Sequence, residues 1–162
     1  MRTRGLAMIE VLISAIIIAV LFIAAVSTAA SARGARQRAL DLTTGQSLAR
    51  MLMSEIDRVA YCEPGTLPTS TLGREAGEVA GQRTTFDDLD DYAGYTQSPA
   101  TLRDGTVIAG SLWRWEVSVA HLASLSGTTT PVETGLRQVT VSVYRGQRLV
   151  ARVNQVRSHG GG

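Results

Sequence analysis

The sequence has no lysine and a single cysteine, and its first proline is Pro64. With Cys62 alone, no disulfide can form within the chain, so cysteine usage does not select a redox compartment. All 16 basic residues are arginine, and Arg2 and Arg4 precede a long apolar run. The remaining 14 match the 14 acidic residues, which leaves no positive excess for binding nucleic acid.

The apolar run extends from Leu6 to Ala30, and 21 of its 25 residues are hydrophobic. As a helix it spans about 37 Å at 1.5 Å per residue, which covers a hydrocarbon core of about 30 Å. A secretory signal peptide has a shorter apolar core of about 7–15 residues. We therefore predict a transmembrane helix over residues 6–30.

The one charge within this run is on Glu10. A charge at membrane depth costs at least about 2.5 kcal/mol and is usually retained for a partner or a function. Arg4 lies six residues upstream and Arg33 more than twenty downstream, so neither pairs with Glu10 along one helix. We expect the cation to come from another copy of the chain, as a new amino terminus formed by cleavage close to Glu10.

The start of the chain, Met1-Arg2-Thr3-Arg4-Gly5 followed by Leu6-Ala7-Met8-Ile9-Glu10, resembles the class III signal of type IV prepilins and type II secretion pseudopilins. That family has a short basic leader, a glycine before the cut and a glutamate at the fifth mature position. The resemblance implies that residues 1–5 are a leader peptide. It also implies that prepilin peptidase cuts between Gly5 and Leu6 and methylates the new Leu6 amine. Where the commonest family pattern has phenylalanine, threonine and leucine, this chain has Leu6, Ala7 and Met8.

The same resemblance implies a role for Glu10 and an orientation. During assembly, Glu10 would set the register by pairing with the Leu6 ammonium of a neighbouring subunit. The leader would lie in the cytoplasm, and the domain would lie in the periplasm on a single-pass bacterial inner-membrane protein that later enters a filament. The alternative is an uncleaved membrane anchor whose Glu10 lies near the lipid headgroups.

Residues 31–61 are expected to continue the helix as an amphipathic segment that ends near Tyr61. No proline interrupts it, although Gly34 and Gly45 are weak points. We predict that its apolar stripe from Leu42 to Val59 docks on the chain's own sheet. The stripe has the three- and four-residue spacing of one helical face, at Ala35, Ala39, Leu42, Gly45, Ala49, Leu52, Ile56 and Val59.

Residues 62–158 are expected to form a small antiparallel β domain. Large apolar side chains alternate with polar ones at 113–119 and again at 139–143, which is the period of a half-buried strand. A turn at 145–147 leads to another apolar stretch at 149–153 and predicts a hairpin. The fold class is therefore α+β, one long helix packed on a small antiparallel sheet, and this agrees with the pilin-like architecture that the resemblance implies.

A cluster of acidic residues precedes these strands, with four carboxylates in five positions, on Asp87, Asp88, Asp90 and Asp91. Like charges this close repel, so water or a cation must offset them. Calcium suits such oxygen ligands, and Asp104 is a further candidate ligand, although the spacing does not fit an EF-hand. The competing interpretation is a solvated acidic turn held between Phe86 and Tyr92. The segment also resembles the Phe-Asp-Asp-x-Asp-Asp-Tyr stretch of minor pilins of the mannose-sensitive haemagglutinin type.

The residues that commonly carry catalysis are scattered. His121 is expected at a strand end, His159 in a disordered tail of residues 159–162, and Cys62 has no partner at metal-ligand spacing. The sequence also contains no GxSxG, HExxH or phosphate-binding glycine loop. We expect no enzyme activity, and we expect Trp113 and Trp115 to belong to the sheet rather than to an adhesive site.

Two functional hypotheses follow. The first is a structural subunit, a minor pilin or pseudopilin, whose partners are prepilin peptidase, other subunits, an inner-membrane assembly platform and membrane lipid. Arg33, Arg36 and Arg38 would then lie at the membrane exit, either solvated or in contact with lipid phosphates and neighbouring subunits. The missing proline favours a pseudopilin, and the acidic motif favours a minor pilin. The second hypothesis is a monomeric membrane-anchored module that binds calcium or a basic ligand through the acidic loop.

Overall fold

A computed structural model describes residues 3–75 and 77–160 of the chain, with side chains from Met8 onward. It contains one helix, a 3₁₀ turn and five strands among those residues, so the expected α+β class is confirmed. In chain order the elements are α1 (Thr3–Ile56), the 3₁₀ turn (Asp90–Tyr92), β1 (Thr96–Gln97), β2 (Trp113–Leu122), β3 (Thr129–Thr130), β4 (Leu136–Arg145) and β5 (Arg148–Ser158).

The chain divides into two compact units, Met1–Leu40 and Asp41–Gly162. In the first unit α1 presents apolar side chains to its surroundings all around, and the large ones between Met8 and Val26 are 52–69% exposed. A helix that is apolar on every side requires an apolar environment. The described helix is long and apolar enough to cross a membrane.

The second unit is built on an antiparallel sheet with the strand order β1-β2-β4-β5, and β3 pairs with the end of β2. The alternation predicted at 113–119 is confirmed, because Trp113, Trp115, Val117 and Val119 are buried. The predicted hairpin is confirmed as β4 and β5, which turn at Gly146 with a φ of 60°. Both strands are longer than the apolar stretches that indicated them.

The second part of α1 packs on this sheet through one face, as the apolar stripe predicted. Leu42, however, is 50% exposed, and the preceding residue Asp41 is buried instead. Asp41 turns inward because its carboxylate pairs with Arg145 and, at 2.8 Å, with Arg148 on the β4–β5 hairpin. Seven residues of α1 form the buried face: Asp41, Gly45, Leu48, Ala49, Leu52, Met53 and Ile56.

The helix ends at Ile56, short of the expected end near Tyr61. Beyond it, the amides of Arg58 and Val59 donate to carbonyls three residues back, which tightens the last turn. The amide of Ala60 then donates to the carbonyl of Asp87 at 3.0 Å. The helix therefore ends where its chain pairs with the acidic loop, a long-range contact that no local pattern predicts.

The carboxyl-terminal tail is ordered further than expected. The amide of His159 donates to the carbonyl of Gly135 at 2.8 Å, and its ring lies 5.4 Å from that of Tyr61. The predicted disordered tail is therefore wrong at His159, while Gly161 and Gly162 lie outside the described residues.

At Gly45 the backbone of α1 lies too close to β5 to leave room for a side chain. A Cβ atom there would lie 2.7 Å from Cγ1 of Val150 and 3.4 Å from Cβ of Ala151. We expect Gly45→Leu to lower the free energy of unfolding by about 1–3 kcal/mol, because overpacking displaces the helix or β5. Urea unfolding measures the effect. Gln46→Leu, at an exposed position on the same turn, is the matched control, and an equal loss in both variants would contradict this account.

Candidate functional site

The first candidate feature is the acidic residue within the apolar part of α1. Glu10 is exposed in the single chain, and no hydrogen bond or ion pair joins it to a side chain that the structure describes. Gly5 and Leu6, the predicted cleavage residues, lie in the first turns of α1, and their side chains are outside the described part. Within one chain, the described residues supply no counterion for this carboxylate.

Two hydroxyls near the end of the apolar run are satisfied locally. The hydroxyls of Ser27 and Thr28 each donate at 2.9 Å to the carbonyl four residues earlier. Such intrahelical bonds let a hydroxyl lie in an apolar environment without water, whereas a carboxylate has no proton to donate in this way. Glu10 is therefore the residue whose polarity most conflicts with an apolar environment.

The second candidate feature is the acidic loop, residues 86–92. Its three aromatic neighbours Phe86, Tyr92 and Tyr95 are buried and meet edge to face, with ring centroids 5.0–6.1 Å apart. Phe86 and Tyr92 thus anchor the two ends of the loop in the core, as expected, and we call them its aromatic pins. The expectation of a solvated turn is wrong, however, because the pins draw acidic side chains inward with them.

Three of the four aspartates are buried: Asp88 and Asp91 fully, and Asp90 at 5% exposure. One oxygen of Asp91 accepts hydrogen bonds from the amides of Asp87 and Asp88, at 2.9 and 3.2 Å. One oxygen of Asp88 accepts from the amides of Asp90 and Asp91, at 2.9 and 3.4 Å. Asp87 alone remains exposed. The loop therefore folds around its own carboxylates.

Each of the three buried aspartates also has an oxygen that lacks a hydrogen-bond donor within the part of the chain that the structure describes. Oδ2 of Asp88, Oδ1 of Asp90 and Oδ1 of Asp91 are buried and accept no hydrogen bond from the described residues. The nearest described cation is Arg137, whose Nη1 lies 3.8 Å from Oδ1 of Asp90. A buried oxygen without a donor carries a desolvation penalty, so these three atoms call for a proton or a cation.

Further carboxylates converge on the loop from the preceding segment. Oxygens of Glu75, Glu78 and Asp91 lie within 4.8 Å of one another, and so do oxygens of Glu75, Asp88 and Asp90. The sequence analysis did not single out these glutamates. The only available signal was the excess of acid between residues 63 and 104, with eight acidic residues against three arginines.

Another group lies at the edge of the loop, where oxygens of Glu63, Asp87 and Asp88 also lie within 4.8 Å of one another. Asp104 belongs to none of these groups among the described residues. Its Oδ1 accepts from the amide of Thr106 at 2.9 Å, which closes its own turn. The expectation that Asp104 joins the cluster is therefore wrong.

The buried arginines near the loop are engaged elsewhere. Arg137 donates to the carbonyl of Tyr61 at 2.7 Å and to Oε2 of Glu133 at 3.1 Å. Arg83 pairs with Glu55 at 3.1 Å. Each buried guanidinium thus has its own glutamate partner, and the acidic loop is not neutralised by them.

Burial raises the pKa of Asp88 to about 8, with the hydrogen bond and charge of Asp90 and the charge of Asp91 adding to the shift. Burial also raises the pKa of Glu78 to about 8, and its contact with Asp91 contributes. Both shifts arise first from burial and then from neighbouring carboxylates. A bound proton or a bound cation relieves the same repulsion.

The remaining candidate residues do not form a catalytic group. His121 lies at the end of β2, as expected, and its Nδ1 is 3.3 Å from Oε2 of Glu133 in the segment before β4. Cys62 lies by the loop, where burial raises the pKa of its thiol. Trp113 and Trp115 are both buried in the sheet, as expected for residues that do not form an adhesive surface.

No protein family model, curated protein or solved structure matches this chain. Functional inference therefore depends on the two features described above, the isolated carboxylate of Glu10 and the acidic loop.

In calcium-free solution, we expect the free energy of unfolding to fall as the pH rises from about 4 to about 8. The folded state keeps a proton on Asp88 up to its raised pKa, whereas the unfolded chain releases it near the ordinary value for aspartate. The folded state thus binds more protons in this window, and stability declines as the pH increases.

Urea unfolding in the presence of a chelator, at a series of pH values, measures this slope. Asp88→Asn should reduce the slope, with Glu78 responsible for part of what remains, while Asp104→Asn should leave it unchanged. An identical slope in the wild type and in Asp88→Asn would show that Asp88 is not the group responsible.

Proposed function

We propose that this chain is a structural subunit of a bacterial envelope filament, a minor pilin or pseudopilin of a type IV pilus or a type II secretion pseudopilus. In this proposal prepilin peptidase removes residues 1–5, the Leu6 amine is methylated, and the subunit assembles through its apolar helix. The observation that carries the proposal is Glu10, a lone carboxylate on a fully apolar helix segment.

The apolar segment supports membrane storage followed by helix packing. Its side chains between Met8 and Val26 have no partner within the first unit, so they require lipid or other helices. Small residues permit close approach of helices in such packing, and this segment carries Ala15, Ala19, Ala24, Ala25 and Ala29. Transfer from lipid to a helical bundle keeps these side chains in an apolar environment throughout.

Glu10 supports a filament over a simple anchor. A buried carboxylate needs a cation, and the described residues of the same chain offer none. Cleavage after Gly5 places a positive amine at Leu6, four residues before Glu10. The ammonium of one subunit and the carboxylate of the next then satisfy each other and set their axial register.

The alternative is a membrane-anchored binding module that acts as a monomer through its acidic loop. Asp88 and Asp91 each have one buried oxygen that accepts no hydrogen bond from the described residues, which favours a ligand at that loop. A monomeric module does not explain Glu10, however, and does not require the chain to be cut. Processing of the amino terminus therefore separates the two functions.

Co-expression with a prepilin peptidase is expected to shorten the chain by five residues and to leave Leu6 as the first residue, with one added methyl group. Intact-mass and amino-terminal peptide mass spectrometry measure both changes. Gly5→Leu should block the cut because its side chain obstructs the extended backbone in the protease cleft. Gly34→Leu, outside the leader, should be cut normally. A wild-type chain that keeps Met1, or whose first residue lies beyond Ala24, contradicts the proposal.

Glu10→Ala should still be cut but should fail to enter filaments. Removing one partner of a buried ion pair costs about 3–5 kcal/mol, so incorporation should fall at least about 100-fold. The amount of subunit in sheared filaments, relative to that in the membrane, measures it. Ser14→Ala, one turn further along α1, should assemble normally. Normal assembly of Glu10→Ala would refute the role given to this carboxylate.

A further inference from the structure

We propose that Glu75, Glu78, Asp88, Asp90 and Asp91 bind one calcium ion, and we call these five residues the acidic pocket. Cation binding here concerns the second unit alone and does not depend on the filament role of α1. Failure of either experiment above therefore leaves this proposal standing, and its own test leaves the filament proposal standing.

The buried oxygens without donors point to a ligand. Asp88, Asp90 and Asp91 are each more than nine-tenths buried, and each has one oxygen that accepts no hydrogen bond from the described residues. In Asp88 and Asp91 the other oxygen is held by two backbone amides, so the carboxylate cannot rotate away without losing them. The unpaired oxygens are therefore fixed inside the protein, as preorganised ligands are.

Each of the two groups in the pocket has the spacing of ligands on a single ion. Calcium binds oxygen at about 2.3–2.6 Å, so two ligands on opposite sides of one ion are about 5 Å apart. The two groups of the pocket share Glu75, and the oxygens within each group lie within 4.8 Å of one another. Glu75 is thus positioned to join the Asp88–Asp90 side to the Glu78–Asp91 side.

The chemistry of the donors selects calcium over other common cations. The pocket offers only carboxylate oxygens, and none of the grouped donor atoms among the described residues belongs to histidine or cysteine, which zinc prefers. Magnesium demands a near-ideal octahedron and keeps several waters, whereas calcium accepts six to eight oxygens in irregular arrangements. Five carboxylates in an irregular arrangement, three of them buried, suit the larger and more tolerant ion.

Charge also favours a divalent cation over the arginine already present. Arg137 reaches Asp90 only at 3.8 Å and is paired with Glu133, so it offsets little of the pocket's negative charge. The group at the edge, which includes Glu63 and the exposed Asp87, is more open to water. We therefore place the ion in the buried pocket, and Glu63 and Asp87 outside its ligand set.

Calcium in this pocket would join two separate segments of the chain. Glu75 and Glu78 belong to the segment that follows α1, and Asp88 pairs with Ala60 through a parallel β-bridge near the end of that helix. An ion held by both segments would brace the region where the chain leaves the helix. Its binding should therefore appear as increased thermal stability as well as measurable affinity.

The test uses the full chain in detergent micelles, first freed of metal with a chelator. Titration with calcium chloride in a calorimeter should show about one ion per chain. Millimolar calcium should also raise the melting temperature by several degrees, while equal magnesium should raise it far less. No heat of binding together with an unchanged melting temperature would overturn the proposal, and so would an equal response to magnesium.

Variants separate the pocket from general electrostatics. Asp88→Asn and Glu75→Gln should each weaken calcium binding at least about tenfold. Because Glu75 is exposed, its variant tests the site without disturbing the core. Metal-free Asp88→Asn should melt at or above the wild-type temperature, since a neutral amide has no ionised form for burial and the neighbouring carboxylates to disfavour, which distinguishes a lost site from a lost fold. Glu63→Gln and Asp104→Asn are the controls and should keep the affinity within about threefold. Equal losses in the pocket variants and the controls would refute the assigned ligands.

Discussion

The packing of one face of α1 against the antiparallel sheet is the contact on which the second unit depends. Gly45 has no side chain where α1 lies against β5, and Leu52 and Ile56 fill the core on the same face. Beyond Ile56, the chain turns to pair with the acidic loop, whose aromatic pins Phe86 and Tyr92 join the same core. The helix, the sheet and the loop are therefore stabilised by one shared set of apolar contacts.

This core also explains how acidic side chains become buried. Phe86 and Tyr92 flank the aspartates in sequence, so burying the rings places Asp88 and Asp91 inside the protein. The backbone amides of the loop satisfy one oxygen of each, and the other remains without a donor. The hydrophobic gain of the aromatic rings thus forces a local electrostatic cost, and a cation is the simplest means of offsetting it.

The two candidate features share one physical problem in different surroundings. Glu10 is a carboxylate on an apolar helix without a counterion among the described side chains, and the acidic pocket is a group of carboxylates without enough cationic partners. In the filament proposal, the counterion for Glu10 is the amine of another subunit. In the calcium proposal, it comes from solution. Within the isolated chain, each feature lacks a counterion among the described residues. Each therefore indicates a cation from outside the chain.

Local patterns in the sequence determined the class of the fold. The apolar run, the absence of proline before Pro64 and the alternation at 113–119 all follow from the periods of helix and strand, and the structure agrees with them. The lone charge of Glu10 and the resemblance of residues 1–10 to a prepilin signal also depend only on neighbouring residues. Both could therefore be recognised from the sequence alone.

Only the tertiary structure decided where side chains from distant segments meet. Asp41 rather than Leu42 faces the sheet because Arg145 and Arg148 pair with it across more than a hundred residues. Glu75 and Glu78 join the aspartates because a loop without periodicity folds back on the pocket. Periodicity reports the face of an element that turns toward the core, whereas ion pairs and buried oxygens depend on long-range approach, which leaves no spacing in the sequence to detect.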